Sequence, residues 1–572
     1  MQREICGTTG LAGAEIICRT LAELGARHVF GIPGTQNVAF YEALRRSPLR
    51  PIVPTHELAA AFMAGAYHRV VGVPGVLATI PGPGLAYAVA GLAEAWLDSA
   101  AMVQIFTGPG AGAKPGTGPQ AIDQRALLAP VTKAIVSVSR LDRVAEAVRA
   151  AWRLSLEGEP GPVALELARV ATVSGLEIVE ADARRSAGVD EEQISAAWRQ
   201  IRDAKRPVIL AGQGALGVAD RVTVLAERLN APVLTTPSAR GLIDETHALA
   251  MGFDVLRGTA GAANALLGRS DTVIVLGAKL AHNGSAGGLL EIGREKTVRV
   301  DTSAAVLDAT YPAARALEME VESFLARPEA RDLKQSAWAP RELAAARAAM
   351  RTIEPIREPA IAGASAESFY AALAAALPAD ARLVTDTGMH QVMTRRHFDV
   401  KAAGGLLMPS DLQSMGFGLP AAIAARLAEP SRDVVALIGD GGLRMTGFEL
   451  ATAVREGVAL TLIVFNDGCL NQIRMQQLGE FGVACGTELG PLDLGAFAAA
   501  VGADYQFAGA PDSLSFHLGS GIGRRGVTLI EVPVGDTAAI RAGAFKARAK
   551  GVVRAAMGQG IGARLKALIP GH

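Results

Sequence analysis

Residues Val434–Gly468 read VVALIGDGGLRMTGFELATAVREGVALTLIVFNDG. An apolar, β-branched run enters Gly439-Asp440-Gly441-Gly442, a helical stretch follows, and a second apolar run ends at Asn466-Asp467-Gly468. Apolar runs joined by a helix are the signature of neighbouring strands in a parallel α/β sheet. Both carboxylates then fall at the carboxyl ends of strands, where open α/β sheets bind ligands. Gly441 and Gly442 let backbone N–H groups approach a phosphate closely, at a helix N-terminus whose dipole favours anions. Magnesium takes octahedral oxygen coordination and is commonly held by one or two carboxylates together with phosphates. Asp440 and Asp467, with a backbone carbonyl just beyond, supply the protein's share. Taken singly, GDGG and NDG are ordinary turns; on consecutive strand ends they read as a clamp.

The same alternation of β-branched and Ala/Leu-rich stretches runs along all 572 residues. It gives the fold class: α/β, with three consecutive doubly wound parallel-sheet domains. The first domain, 1–176, has expected strands at His28–Ile32, Pro51–Pro54, Gly75–Ile80 and Ala101–Phe106, with helices at Glu57–Val70 and Leu85–Leu97. It closes near Gly161–Glu166, and an acidic linker, Glu177–Glu192, follows. The second, 190–336, has expected strands at Pro207–Ala211, Pro232–Thr235, Thr272–Leu276 and Thr297–Val300. An Ala/Arg-rich stretch, Ala337–Arg357, leads to the third, 358–549, with strands at Arg382–Thr385, Asp433–Ile438, Leu460–Phe465 and Val527–Glu531. The basic tail, 550–572, reads as a surface helix or a flexible end.

Charge and composition narrow the partners. The 56 basic residues balance the 56 acidic ones, so no net field draws nucleic acid. Small molecules and further copies of the chain are the expected partners. Cys6, Cys18, Cys469 and Cys485 form no CxxC pair, which suits a reducing cytoplasm. The N-terminus lacks the apolar core of a signal peptide, and no apolar run reaches the roughly 18 residues of a membrane span. A cytoplasmic protein without a membrane partner is expected.

The segment Gly439–Gly468 resembles the thiamine-diphosphate signature, GDG followed by NN or ND, of the acetolactate synthase and decarboxylase superfamily. The resemblance implies thiamine diphosphate and Mg2+ as cofactors, with metal held by Asp440, the Asp467 side chain and the main-chain oxygen of Cys469. Upstream, PIVPTHELAAAFMAGAYHRVVGVPGVLATIPGPG, Pro51 to Gly84, is similar to the region that carries the family's activating glutamate, here Glu57. That carboxylate hydrogen-bonds the cofactor's pyrimidine nitrogen. A helix first-turn carboxylate is the plain alternative, although a buried one is expensive without a partner. Gly31–Thr35 resembles the family's substrate-side loop, with Thr35 toward the reacting atoms, and Gly82-Pro83-Gly84 the loop beneath the pyrimidine. His56 is assigned no role.

Thr385–Gln391 resembles the segment that contacts the diphosphate, which implies Gly388, His390 and the backbone of Met389. Gln413–Pro420 is similar to the family's GxMGxGLPAA. It implies that Gln413 touches the cofactor and that Met415 wedges between the two cofactor rings, a place that suits an unbranched thioether. In the family the site forms between the first domain of one subunit and the third of another, so a homodimer or homotetramer is implied. Gly212–Gly217 matches GxGxxG, but the strand ending Leu234-Thr235-Thr236 lacks the acid a dinucleotide fold shows there. It reads as a structural turn. Where acetolactate synthases carry FAD through an arginine-rich strand end, Gly277–Leu280 keeps only Lys279, which counts against FAD.

Gly118–Asp123 resembles the synthase segment with glutamine ahead of aspartate, so Gln120 is a candidate for hydrogen bonding the substrate. The position of a family decarboxylase histidine falls at Ile80, and no His–His pair occurs. The tryptophan of the synthase acceptor pocket falls at Gln476. The expected activity is an acetolactate-synthase-like carboligase that decarboxylates a 2-oxo acid and adds the remainder to a second carbonyl. The alternatives are a decarboxylase or lyase of another 2-oxo or 2-hydroxyacyl substrate, and a catalytically silent cofactor-binding homologue.

Overall fold

The computed structural model describes residues 11–108, 120–167, 176–180, 190–353 and 358–535. The basic tail 550–572, Cys6, and Gly118 and Pro119 lie outside the described residues.

Three sheets follow one another along the chain. The first holds β1 (His28–Gly31), β2 (Arg50–Ile52), β3 (Gly75–Ala78), β4 (Met102–Thr107), β5 (Ala134–Val138), β6 (Pro162–Leu167) and β7 (Leu176–Glu180), in the order β2-β1-β3-β4-β6-β5-β7. The second holds β8 (Pro207–Ala211), β9 (Val233–Thr235), β10 (Thr272–Leu276), β11 (Thr297–Asp301) and β12 (Arg315–Glu318), ordered β12-β11-β10-β8-β9. The third holds β13 (Arg382–Thr385), β14 (Leu406–Leu407), β15 (Val434–Gly439), β16 (Leu460–Asn466), β17 (Asp504–Phe507) and β18 (Val527–Pro533), ordered β14-β13-β15-β16-β18-β17. Strands pair in parallel throughout, except that β7 runs antiparallel to β5. The stretch read as a linker from Glu177 therefore begins as an edge strand.

Helices cover both faces of the sheets, so the central strands are buried on both sides and read as continuous apolar runs. Every residue of β10 (TVIVL) and of β18 (VTLIEVP) is buried. In each sheet the chain leaves its first strand in opposite directions. β1 is flanked by β2 and β3, β8 by β9 and β10, and β13 by β14 and β15. Each sheet thus has a switch point, outside whose carboxyl strand ends a crevice opens. No described helix is long and apolar enough to cross a membrane.

The domains are packed, not strung. Helix Glu57–Val71 shares one apolar core with helix Gly418–Ala428, and the Phe62 and Phe417 rings meet edge to face at 5.6 Å. Buried ion pairs tie the middle domain to the third. Asp254 takes both Arg395 Nε and Nη2, at 3.0 and 2.8 Å. Arg240 is paired with Glu245 and donates to the Arg395 carbonyl at 3.1 Å. An Arg395→Met variant leaves the buried Asp254 carboxylate without its ion-pair partner, with the Leu256 N–H and the nearby Arg240 as its remaining support, at a cost of about 3–5 kcal/mol. Differential scanning calorimetry is expected to show the middle and third domains melting at a clearly lower temperature; an unshifted trace would contradict the assignment.

Candidate active site

At the third domain's switch point, the loops after β13, β15 and β16 converge. Helix Asp440–Thr446 begins directly at the end of β15, so Asp440 sits in its first turn. The residue is 2% exposed, and its Oδ2 has no hydrogen-bond partner among the described residues. Burial, and then the facing Asp467, push its pKa up to about 7. Asp467 is raised by burial too, against the N–H of Cys469, which donates to its Oδ1 at 3.1 Å. Two carboxyl groups taken from water beside one another are expensive unless a cation joins them. Among the described residues no cluster of three or more His, Cys, Asp or Glu side chains stands ready for a metal. The pair instead matches a metal shared between protein and phosphate oxygens. The Cys469 thiol is pushed up to about 12 by burial and Asp467, so it is no nucleophile at neutral pH.

His390, at the start of helix Met389–His397, closes the other side. A Cβ on Gly388 would stand 2.8 Å from its Cε1, and one on Gly439 3.3 Å. The ring therefore lies across the ends of β13 and β15. One ring nitrogen donates to the Asp386 carbonyl, burial holds the pKa down to about 4, and Nε2 is buried without a partner. A neutral imidazole with one free nitrogen is suited to a hydrogen bond with an incoming ligand. Met389 is half-buried behind it. Met415 reaches in from the loop ahead of helix Gly418–Ala428, and a Cβ on Gly441 would lie 3.2 Å from its methyl. Gln413 adopts a left-handed backbone, φ +61°. Its amide is spent on the carbonyls of Pro409 and Ser410, at 2.9 and 2.6 Å.

The first domain assembles a second group at its own switch point, between the ends of β1 and β3. Glu57 is the first residue of helix Glu57–Val71 and is 8% exposed. A Cβ on Gly84 would lie 3.0 Å from its Oε1 and 2.7 Å from Ile80 Cγ1. Ile80 also fills the space beside Gly34. Gly82 (φ +68°) faces Gln120, and its N–H donates to Gln124 Oε1 at 3.2 Å. Gln120, itself at φ +62°, accepts from Gln36 Nε2. Thr35 is exposed on the turn before helix Val38–Arg45. His56 caps the Glu57 helix, its Nδ1 accepting from Leu58 N at 3.1 Å.

Within one chain, no recorded hydrogen bond, ion pair or ring contact joins these two groups among the described residues. Sequence reading missed the carboxylates that hold them. Asp386, fully buried and raised to about 7 by burial, takes the N–H groups of Thr387 and Gly416 at 2.7 and 2.9 Å. It pins the Met415 loop to the end of β13. Glu94, from the first domain, accepts from Ser414 N at 2.9 Å. Glu449, from the third, accepts from Thr55 N at 3.0 Å. Asp386 and Glu449 stood inside quoted stretches without being singled out, and Glu94 carries no local signal.

A cavity of about 550 Å³ lies elsewhere, where residues of all three domains meet. The glycine turn at 212–214, Lys279, Arg69 and Asp301 line it. The turn runs into a 3-10 helix, Gln213–Val218, and Gly212 packs on Gly277, which accounts for its glycines. Asp301, at the end of β11, supplies an acid that the next strand in sequence lacks. Lys279 is ion-paired with Glu159 and donates to the Leu97 carbonyl at 2.8 Å.

Comparison with known proteins places these domains. Residues 11–127 match the N-terminal TPP binding domain of thiamine pyrophosphate enzymes, 194–327 the central domain and 386–532 the C-terminal TPP binding domain. A probable 2-ketoarginine decarboxylase of Pseudomonas aeruginosa is 32% identical over 91% of this chain and 94% of its own length. Acetolactate synthase isozyme 1 large subunit of Escherichia coli is 31% identical over 87% and 90%. Acetolactate synthase of Bacillus subtilis is 29% identical over 91% and 93%.

The glycines of the clamp are a direct check on the geometry. A Cβ on Gly442 would stand 2.4 Å from Asp386 Oδ2, an atom already held by the Gly416 amide. Gly442→Ala is expected to cost about 1–3 kcal/mol and to weaken thiamine diphosphate binding in calorimetric titration. Wild-type affinity in that variant would refute the close contact.

Proposed function

Because this chain belongs to the thiamine pyrophosphate enzyme family along all three of its domains, we propose that it is a carboligase. It removes CO2 from a 2-oxo acid and adds the remaining acyl unit to a second carbonyl compound. When bound, thiamine diphosphate supplies the electron sink that makes loss of CO2 feasible. Asp440, the Asp467 side chain and the Cys469 carbonyl would hold Mg2+ against the diphosphate. The Gly441 and Gly442 backbone, with Gly388, Gly439, Met389 N–H and His390 Nε2, would take the diphosphate oxygens. Glu57 would hydrogen-bond the pyrimidine nitrogen above Gly82, and Met415 would keep the two rings bent toward one another. Gln413 would act through its backbone, since its amide is already committed.

The observation that carries ligation over simple decarboxylation is the chemistry beside Glu57. A decarboxylase needs an acid to deliver a proton at that point. Among the described residues of the first domain, Ile80, the Gln36–Gln120 amide pair and the Tyr41 phenol stand on that side; burial, and then Glu57, raise the Tyr41 pKa above the usual phenol range, which makes it a poor proton donor, and His56 is occupied as a cap. Neutral amides can hold a carbonyl acceptor by hydrogen bonds without quenching the reaction, which gives Gln120 its role and leaves Thr35 at the mouth. The relatives named acetolactate synthases support this reading. The relative named a 2-ketoarginine decarboxylase supports the second, release of the decarboxylated product. FAD is not part of the proposal, since Lys279 is already engaged.

A homo-oligomer, dimer or tetramer, follows from the same proposal. No hydrogen bond, ion pair or ring contact joins the two groups within one chain among the described residues, and exposed apolar side chains flank them: Tyr87 (55%) near the first, Met445 (54%) and Phe448 (67%) near the second. A second copy would cover these and bring each Glu57 to the partner's clamp. The proposed setting is a cytoplasmic enzyme acting on small molecules.

Proton NMR of pyruvate with the Mg2+–thiamine diphosphate enzyme tests the activity. Acetolactate or acetoin is the expected product; acetaldehyde alone would transfer the assignment to a decarboxylase. CO2 release only from a guanidino 2-oxo acid would do the same. Glu57→Gln is expected to bind the cofactor normally while turnover falls roughly 10²- to 10⁴-fold. Unchanged turnover would remove Glu57 from the mechanism.

A further inference from the structure

Glu449 is fully buried at the start of helix Glu449–Arg455 in the third domain. Its Oε1 accepts from Thr55 N at 3.0 Å and from Thr55 Oγ1 at 2.5 Å. Its Oε2 takes Thr55 N at 3.2 Å and Thr452 Oγ1 at 2.8 Å, and the His56 N–H donates to the same carboxylate. Thr55 and His56 are the two residues ahead of Glu57. The same helix grips the rest of the approach. Arg455 donates to the Val53 carbonyl, and Glu456 takes Arg50 at 2.8 Å. The segment from β2 to the first turn of the Glu57 helix therefore lies along an element of another domain. A carboxylate without water must collect donors. Here three of the four donors, two of them backbone amides, belong to the Thr55–His56 segment that aims Glu57.

We propose that Glu449 is a positioning residue: by holding the Thr55 and His56 amides, it fixes the place from which the Glu57 carboxylate meets the cofactor. The inference rests on the proposed role of Glu57. Its chemistry is geometric. A displacement of about 1 Å at a catalytic group can cost on the order of 100-fold in rate, and the Glu57 backbone has no closer anchor on its N-terminal side than this carboxylate. In Glu449→Gln the amide keeps one acceptor oxygen, so at least one of the three donors on the Thr55–His56 segment is lost while shape and packing stay. Thr55→Val removes the hydroxyl donor and leaves both backbone donors; Thr55→Ser keeps all three.

Three readouts separate positioning from general damage. In the apo chain, amide hydrogen exchange at Thr55 and His56 is expected to accelerate in Glu449→Gln. In the loaded enzyme, exchange of the thiazolium C2 proton of bound thiamine diphosphate for deuterium is expected to slow roughly 10- to 100-fold, at unchanged cofactor affinity. Thr55→Ser should match wild type and Thr55→Val fall between. Arg50→Ala, which cuts the exposed pair at the far end of the segment, should alter C2 exchange by no more than about twofold. The proposal is overturned if Glu449→Gln leaves both exchange rates unchanged, if affinity and C2 exchange fall together, or if Arg50→Ala slows C2 exchange as much. A wild-type enzyme that binds the cofactor yet exchanges its C2 proton no faster than free cofactor would instead overturn the role of Glu57. The apo amide exchange would still report on the clamp.

Discussion

A carboxylate removed from water must be surrounded by donors, and three buried acids of this chain find theirs in the backbone of loops around the site. Asp386 gathers amides within the third domain and so fixes the Met415 loop against β13. Glu94 reaches from the first domain to the amide ahead of Met415, and Glu449 reaches back from the third to the amides ahead of Glu57. The two interdomain contacts are reciprocal, each domain holding the other's loop. A cost that would otherwise destabilise the fold is converted into fixed geometry at the loops that most need it.

How much of this was legible in the sequence followed from how local each signal is. The central strands, buried on both faces, announce themselves as β-branched runs, and the expected strands all formed within a few residues. Two of those missed, β12 (RALE) and β17 (DYQF), lie at sheet edges with exposed residues, where packing against a neighbour outweighs composition, whereas the missed β5 (AIVSV) is fully buried inside its sheet. The GDGG and NDG turns could be joined because consecutive strand ends must be neighbours. Glu94 and Glu449 could not, because their partners lie hundreds of residues away in another domain. At the glycine turn, Gly212 and Gly214 pack on Gly277, whereas the acid on its cavity, Asp301, comes from a strand that no local spacing rule reaches.

The family relationship and the local chemistry bear on different questions. Kinship extends over the whole chain and accounts for the three sheets with their three switch points. What a relative does with its substrate is decided by a handful of groups near Glu57. In the proposed reading those groups are an isoleucine, two glutamines and the Tyr41 phenol, whose pKa burial raises. The middle domain contributes no residue to either group of site residues. It is joined to the third by the buried Asp254–Arg395 ion pair.

That ion pair has a consequence for how such a chain can change over evolutionary time. Three sheets in series resemble interchangeable modules, but at one buried interface Asp254 pairs with Arg395 across the domains, while Arg240, paired with Glu245 of its own domain, donates to the Arg395 carbonyl. Exchange of the middle domain for one from a distant relative would orphan a charge on the side that stayed. An exchange of domains that keeps this interface has to carry both members of the pair together.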